Sequence, residues 1–230
     1  SKLFNNEGRL LARYREGEAV YKGYLDDYAF FIYGLLELYT ACGKPEYLKL
    51  AINLQQEQER LFRDSTEGGY YFTGNDAEEL LLRPKEIYDG AIPSGNSLSL
   101  YNLARLWRLT GEQKWQELAE KQAAFFRESL EDYPPGYTAS LQAIQFYLSQ
   151  GDELVLSGPL TSETSGMQSI IFEEFRPFMV IAYNEGNLTE LIPRLSNYPV
   201  EEKVSAYLCQ NFACKEPVDS PEELKGLLGS

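Results

Sequence analysis

Apolar positions change their rhythm several times along the chain, and each change predicts a different kind of element. Two short aromatic-bearing runs, Leu10 to Arg15 and Ala19 to Tyr24, flank Glu16-Gly17-Glu18 and predict a hairpin or irregular lobe. From Tyr28 to Tyr39 the side chains are apolar almost all round, which predicts a helix covered on most sides. Asp26 and Asp27 fall in its first turn, where acids cap free amides and complement the helix dipole, and Gly43 stops it. Pro45 then opens a helix running to about Arg63. It has one apolar stripe (Tyr47, Leu50, Ala51, Leu54, Leu61, Phe62) and polar residues elsewhere. The first helix reads as inner, the second as outer.

The pair recurs. Gly68 to Gly74 reads as a short strand bounded by glycines, and Asn75 to Pro93 as a long loop. An offset of 68 residues aligns Gly43 with Gly111, Tyr33 with Tyr101, Leu38 with Leu106, Tyr39 with Trp107 and Tyr47 with Trp115. This predicts an internal helical-hairpin repeat. Leu98 to Leu109 is its inner helix; Trp115, Leu118, Ala119, Phe126 and Leu130 stripe its outer one. A third inner helix, Tyr137 to Ser149, follows Tyr133-Pro134-Pro135-Gly136 and ends at Gly151. Repeated inner and outer hairpins predict a mostly α fold, part of an α/α toroid, over residues 1–151. Beyond Gly151, strand-like runs at Leu154–Ser157, Phe178–Tyr183 and Val204–Cys209 alternate with helical stretches near Glu163–Phe175 and Leu188–Leu195. With a last helix at Pro221–Leu228, they predict a small parallel α/β unit over residues 152–230.

Charge and composition narrow the function. A net charge of −14 with no basic patch argues against nucleic acid and anionic membranes as partners. The longest apolar run, Tyr28 to Leu36, is too short to cross a bilayer. The chain starts at Ser1 with no charged-then-apolar leader, so the expectation is a soluble, cytoplasmic fragment of a longer protein. The three cysteines do not resemble a secreted disulfide framework, and the lack of histidine excludes a Cys/His zinc site. No metal or other cofactor is expected. Cys209 and Cys214, five apart, would face opposite ways on one continuous strand and read as two semi-buried thiols rather than a redox pair.

Candidate chemistry gathers where the loop carrying Arg83, Lys85, Glu86 and Asp89 meets the helix start at Ser94-Gly95-Asn96-Ser97. The same offset places Asp26 opposite Ser94, Asp27 opposite Gly95 and Tyr28 opposite Asn96, so these polar groups would lie at one end of a toroid. Asp26, Asp27, Glu86 and Asp89 are the candidate catalytic carboxylates. Two of them about 5–10 Å apart could act as acid and nucleophile, or acid and base, on a glycosidic bond. Tyr28, Tyr71 and Tyr88 are candidate stacking platforms for a carbohydrate, and Ser94 and Asn96 candidate polar contacts. Arg83 and Lys85 either bind an anionic group or pair with Glu86 and Asp89; the helix N-terminus at Ser94 would add anion affinity. The competing reading of every one of these residues is structural, because helix starts and tight turns favour the same residue types.

Four separated motifs carry a resemblance that spans nearly the whole chain: Gly23 to Phe30, Gly69 to Gly74, Tyr88 to Ser97 and Gln210 to Cys214. In these the chain resembles the C-terminal region of the thioredoxin-domain-containing family related to spermatogenesis-associated proteins. The resemblance implies an N-terminal thioredoxin-like domain followed by an (α/α)6 toroid similar to six-hairpin glycosidases and N-acylglucosamine 2-epimerases. On that basis a missing thioredoxin-like domain and the remaining toroid hairpins are expected partners, with self-association as a further expectation. No Cys-x-x-Cys occurs here, and the lack of histidine departs from the proton transfer expected of the epimerases. A non-catalytic interaction or scaffold role is the alternative to carbohydrate chemistry.

Overall fold

The structure, a computed structural model, describes residues 2–78, 82–210 and 213–229. Helix α1 (Leu25–Cys42) packs on α2 (Pro45–Phe62), and α3 (Gly95–Thr110) packs on α4 (Gln113–Phe125). The outer stripe breaks at Phe126 and resumes in the short α5 (Arg127–Asp132); α6 (Thr138–Leu148) lies against α3 as the third inner helix. Every residue of α3 is buried except Tyr101 and Trp107, so α3 is the centre of the helical part.

The repeat is visible in the caps. Gly43 and Gly111 both adopt the left-handed conformation, φ 69° and 72°, and donate their N–H to the carbonyls of Tyr39 and Trp107. The helix starts are out of step, however, because α1 has 18 residues and α3 has 16. Asp26 and Ser94 are therefore not equivalent positions: Ser94 is the N-cap of α3, whereas Tyr24 is that of α1.

The N-terminal runs form the expected antiparallel hairpin, β1 (Leu11–Arg15) and β2 (Glu18–Lys22). Glu16 and Gly17 take positive φ between them, the turn whose twist matches paired strands. The Gly68–Gly74 segment is not a strand and makes one isolated bridge, Arg63 to Tyr70, because Gly68 and Gly69 both take positive φ and turn the chain. The loop that follows is irregular as expected; its residues 79–81 lie outside the described residues.

The C-terminal sheet has the order β4-β3-β5-β6, with β3 (Glu153–Ser157), β4 (Val180–Asn184), β5 (Ser205–Gln210) and β6 (Ala213–Cys214). Helix α7 (Ser162–Phe172) crosses from β3 to its parallel neighbour β4. The expectation of a parallel unit fails at β5, which is antiparallel to β3. Between β4 and β5 the predicted helix is only a 3-10 turn at Pro193–Asn197, too little to carry a crossover, so the chain returns in the opposite direction. Each residue of β3 and β4 is buried, as a strand covered on both faces requires.

Sheet and helices share one core. The Tyr183 ring meets that of Tyr39 edge-on at 5.7 Å, and its hydroxyl donates to the carbonyl of Thr40. Arg108 of α3 donates to the carbonyls of Phe178 and Gly151. Arg194 joins Glu153 at 2.9 Å while donating to the carbonyls of Arg108 and Leu109 at the end of α3. The final helix, α8 (Pro221–Leu227), packs against α7.

The cysteine expectation is overturned. Cys209 and Cys214 are cross-strand neighbours on β5 and β6 and are joined as a disulfide. The chain reverses between them, so the assumption of one continuous strand, which put them on opposite faces, does not hold. Asn211 and Phe212 of that motif lie outside the described residues.

Candidate functional site

The carboxylates singled out in the sequence meet backbone amides. Asp89 bridges two inner helices, with one oxygen accepting from Ser94 N at 2.8 Å at the start of α3 and the other from Ala139 N at 2.8 Å at the start of α6. Asp26 accepts from Gly95 N at 2.9 Å, so it caps the neighbouring helix rather than its own. A side chain at Gly95 would run into that carboxylate, which explains the glycine. Asp27 accepts from Tyr24 N at 2.8 Å and caps α1. Burial raises the Asp26 carboxyl above the ordinary range against the pull of the Gly95 amide, with Glu86 and Asp27 adding to the rise. Glu86 itself is exposed, and its backbone carbonyl accepts from Asn96.

The remaining positions are also engaged. Ser94 Oγ accepts from Ser97 N and donates to the carbonyl of Ile87; with Asp89 on Ser94 N and Asp26 on Gly95 N, three amides of this helix N-terminus are already taken. Asn96 is fully buried, exchanges bonds with the backbone of Tyr70 and accepts from Gln122. Tyr28 is also fully buried, and its hydroxyl accepts from Leu10 N, which rules it out as a stacking platform. Tyr71 donates to Asp64, with Arg83 over its ring at 4.3 Å. Arg83 and Lys85 turn away from Glu86 and Asp89: Arg83 donates to the carbonyl of Thr73, and Lys85 pairs with Asp64 at 2.7 Å. Lys85 and the Thr66 and Tyr71 donors hold the Asp64 carboxyl far below the usual range. Tyr88 remains 60% exposed, edge-on to Tyr137.

The concave surface lies elsewhere. A groove of about 960 Å³ runs along α1, α3 and α6 and is closed on one side by the end of α7 and the segment leading to β4. None of the four candidate carboxylates lines it; Pro93, Leu98 and Ala139 bring only its end near the caps. Its polar heart is a pair from the two repeats, Glu37 on α1 and Arg105 on α3, in direct contact. Arg105 also donates to Thr40 Oγ1 at 3.1 Å and is only 6% exposed, whereas the Glu37 side chain is about half exposed, so the carboxylate is the accessible partner. Beside them Tyr33 and Tyr101, again one from each repeat, stand with ring centres 6.0 Å apart, and Tyr101 meets Phe146 of α6 edge-on at 5.0 Å. Burial raises both phenols, Glu37 adding to the rise at Tyr33 and Arg105 opposing it at both, so both are neutral donors and acceptors near pH 7. Gln142 and Gln145 of α6 add exposed amides to the wall.

Sequence reasoning paired Tyr33 with Tyr101 but missed Glu37 and Arg105. The signal was present: Glu37 ends an apolar run on an inner helix, and the offset that aligns the tyrosines aligns Glu37 with Arg105. Among the described residues there is no cluster of acids and thiols that could hold a metal ion, and no helix long and apolar enough to cross a membrane.

Over 213 residues, 90% of its length, the chain is 34% identical to spermatogenesis-associated protein 20 of Rattus norvegicus and 33% identical to that of Homo sapiens. The chain is a homologue of spermatogenesis-associated protein 20. It spans about a quarter (27%) of the length of those relatives. An uncharacterized protein of Caenorhabditis elegans is 29% identical over 92% of the chain. No family model matches. Among solved structures, cellobiose 2-epimerase from Spirochaeta thermophila is similar at a TM-score of 0.44 and 26% identity, over 55% of this chain and 33% of that one.

Proposed function

We propose that this chain is a portion of an α/α toroid whose inner-helix groove binds a neutral carbohydrate. The observation that carries the reading is the groove itself. Two tyrosines stand beside a Glu37–Arg105 pair with neutral amides across from them, on a concave surface of about 960 Å³. Aromatic faces fit the apolar faces of a sugar ring, and fixed planar hydrogen-bonding groups fit its hydroxyls. Because Arg105 is already neutralised by Glu37, the groove favours an uncharged ligand over an acidic one. The repeated inner and outer hairpins support the toroid. Glycoside chemistry by Asp26, Asp27, Glu86 and Asp89 finds no support, since none of them lines the groove, and the first two and Asp89 cap helices. The chain has no histidine, so proton transfer by histidine cannot come from these residues.

Calorimetric or saturation-transfer titration of the chain with glucose, mannose, N-acetylglucosamine and cellobiose tests the reading. Binding to at least one is expected, with a loss of about tenfold or more in affinity for Tyr101→Ala and Glu37→Gln. Binding that survives both substitutions, or none at all, would remove it.

A second reading rests on a separate apolar hollow of about 550 Å³ between α4 and α6, lined by Ala123, Ala124, Leu130, Ile144 and Leu148, the last 71% exposed. With relatives some four times longer, a scaffold role would seat a further helical hairpin, or a neighbouring domain such as the thioredoxin-like one, on this surface. It predicts self-association of the isolated chain in sedimentation, abolished by Leu148→Glu. A monomer at all concentrations would count against it.

A further inference from the structure

The disulfide between Cys209 and Cys214 has two unlike ends. Cys209 is 1% exposed in β5, whereas both residues of β6, Cys214 included, are exposed. The Tyr198 hydroxyl lies 3.5 Å from Cys209 Sγ and 3.3 Å from Cys214 Sγ; disulfide sulfurs carry no proton, so the hydroxyl is the donor to both. Tyr198 is held in place by its backbone bond to Leu195 O and by edge contact with the Tyr207 ring at 5.0 Å.

The disulfide is not the only tie on the strand it joins. It links residues only five apart, so it restrains the unfolded chain less than a bond closing a long loop would. Beyond Cys214 the backbone is paired by hydrogen bonds of its own. Lys215 N donates to Leu208 O at 2.9 Å, and Ala206 and Val218 exchange bonds of 2.7 and 3.1 Å.

We propose that Cys209–Cys214 is a reversible thiol–disulfide exchange site for a dithiol reductant that approaches the exposed β6 edge. The reductant's thiolate attacks Cys214 Sγ, the accessible sulfur; the Cys209–Cys214 bond breaks and Cys209 Sγ leaves as a thiolate that accepts the Tyr198 hydrogen bond. The second thiol of the reductant then attacks the mixed disulfide and releases Cys214 as a thiolate. Two electrons pass to the cysteines, two protons follow from solvent, and the reductant closes its own disulfide. Reoxidation runs the same steps in reverse.

The test equilibrates the full chain with reduced and oxidised dithiothreitol at varied ratios, quenches with acid and counts thiols by maleimide labelling and mass. Cys42 is the free cysteine and serves as the reference. The expected result is a change from one labelled thiol to three, with Cys209 and Cys214 moving together and the helical circular dichroism unchanged. Tyr198→Phe is expected to slow reduction about fivefold, the loss of one ordinary hydrogen bond to the leaving sulfur. With Cys42 also replaced by serine to give single-cysteine chains, Cys214 in C209S is expected to react with an aromatic disulfide reagent about tenfold faster than Cys209 in C214S. Three results would each overturn the proposal: a bond that yields only after denaturation, reduction that collapses the helical signal, or a pair that stays dithiol in excess oxidant. Equal rates for the two single-cysteine variants would overturn the assignment of Cys214 as the attacked sulfur.

Discussion

Replacing Asp89 with alanine separates the two roles a carboxylate could have in this loop. The substitution removes the acceptors of Ser94 N and Ala139 N, each at 2.8 Å, and so takes away the cap of α6 and the bond that anchors Ser94, the N-cap residue of α3. An N-cap side chain and a further hydrogen bond to a carboxylate are each worth roughly 0.5–2 kcal/mol, so losing both is expected to cost about 1–4 kcal/mol, softened by water reaching this partly exposed site. For a chain of 230 residues that corresponds to a melting temperature lower by roughly 2–16 °C. Asp89→Asn keeps one acceptor but turns an NH₂ toward the second amide, and is expected to fall between parent and alanine. Urea unfolding followed by circular dichroism measures all three, with Glu86→Gln as an exposed control expected within about 0.5 kcal/mol of the parent. In the groove reading, sugar affinity of Asp89→Asn below its melting point stays within about twofold of the parent. Parent-like stability of Asp89→Ala would refute the capping argument. Loss of binding in a fully stable Asp89→Asn would return this carboxylate to the site.

Two further predictions concern charges that are not in the groove. Lys85→Met removes the partner that holds the Asp64 carboxyl low, and a depressed carboxylate stabilises the fold above its unfolded value and loses that contribution as pH falls toward the folded one. The stability gap between parent and Lys85→Met is therefore expected to be widest above about pH 5 and to begin narrowing below about pH 4, closing only as pH nears the strongly depressed folded value, as read by urea midpoints across pH; a gap independent of pH would contradict it. Arg194→Met leaves the buried Glu153 carboxylate without its 2.9 Å partner and should cost about 3–5 kcal/mol, with part recovered in the double variant with Glu153→Gln. Burial already raises the Glu153 carboxyl, so Arg194→Met is expected to gain stability relative to the parent as pH is lowered toward the carboxylate range and Glu153 takes up a proton. Additive costs in the double variant would show that the two side chains do not act as a pair.

Period and punctuation carried most of the helical part. Inner and outer helices differ in how much of their circumference is apolar, and Gly43 and Gly111 mark two stops of one repeat. What did not follow was anything that depends on partners distant in sequence. The direction of β5 was set by the absence of a crossover helix before it, and an apolar run reads the same in either direction. Asp26 looked like the cap of its own helix and instead caps α3, because local spacing says nothing about which neighbouring helix start lies within reach. The charges of Arg83 and Lys85 were legible, but their partners were not; Lys85 pairs back to Asp64 rather than along the loop.

The same repeat accounts for both the helix-start cluster and the pair in the groove. A stack of inner helices must satisfy free amides at every start, so acids, serine and asparagine concentrate at that end whatever the protein binds. Such an end mimics an active site in composition. Side chains midway along an inner helix face the opposite pressure: they are surrounded by apolar neighbours, and a charge there carries a desolvation cost that no cap requires. Glu37 and Arg105 meet that cost jointly, in contact across two repeats, and Glu37 stays half exposed to the groove beside Tyr33 and Tyr101. A polar pair placed where capping cannot account for it is stronger grounds for a ligand than a larger cluster placed where capping can.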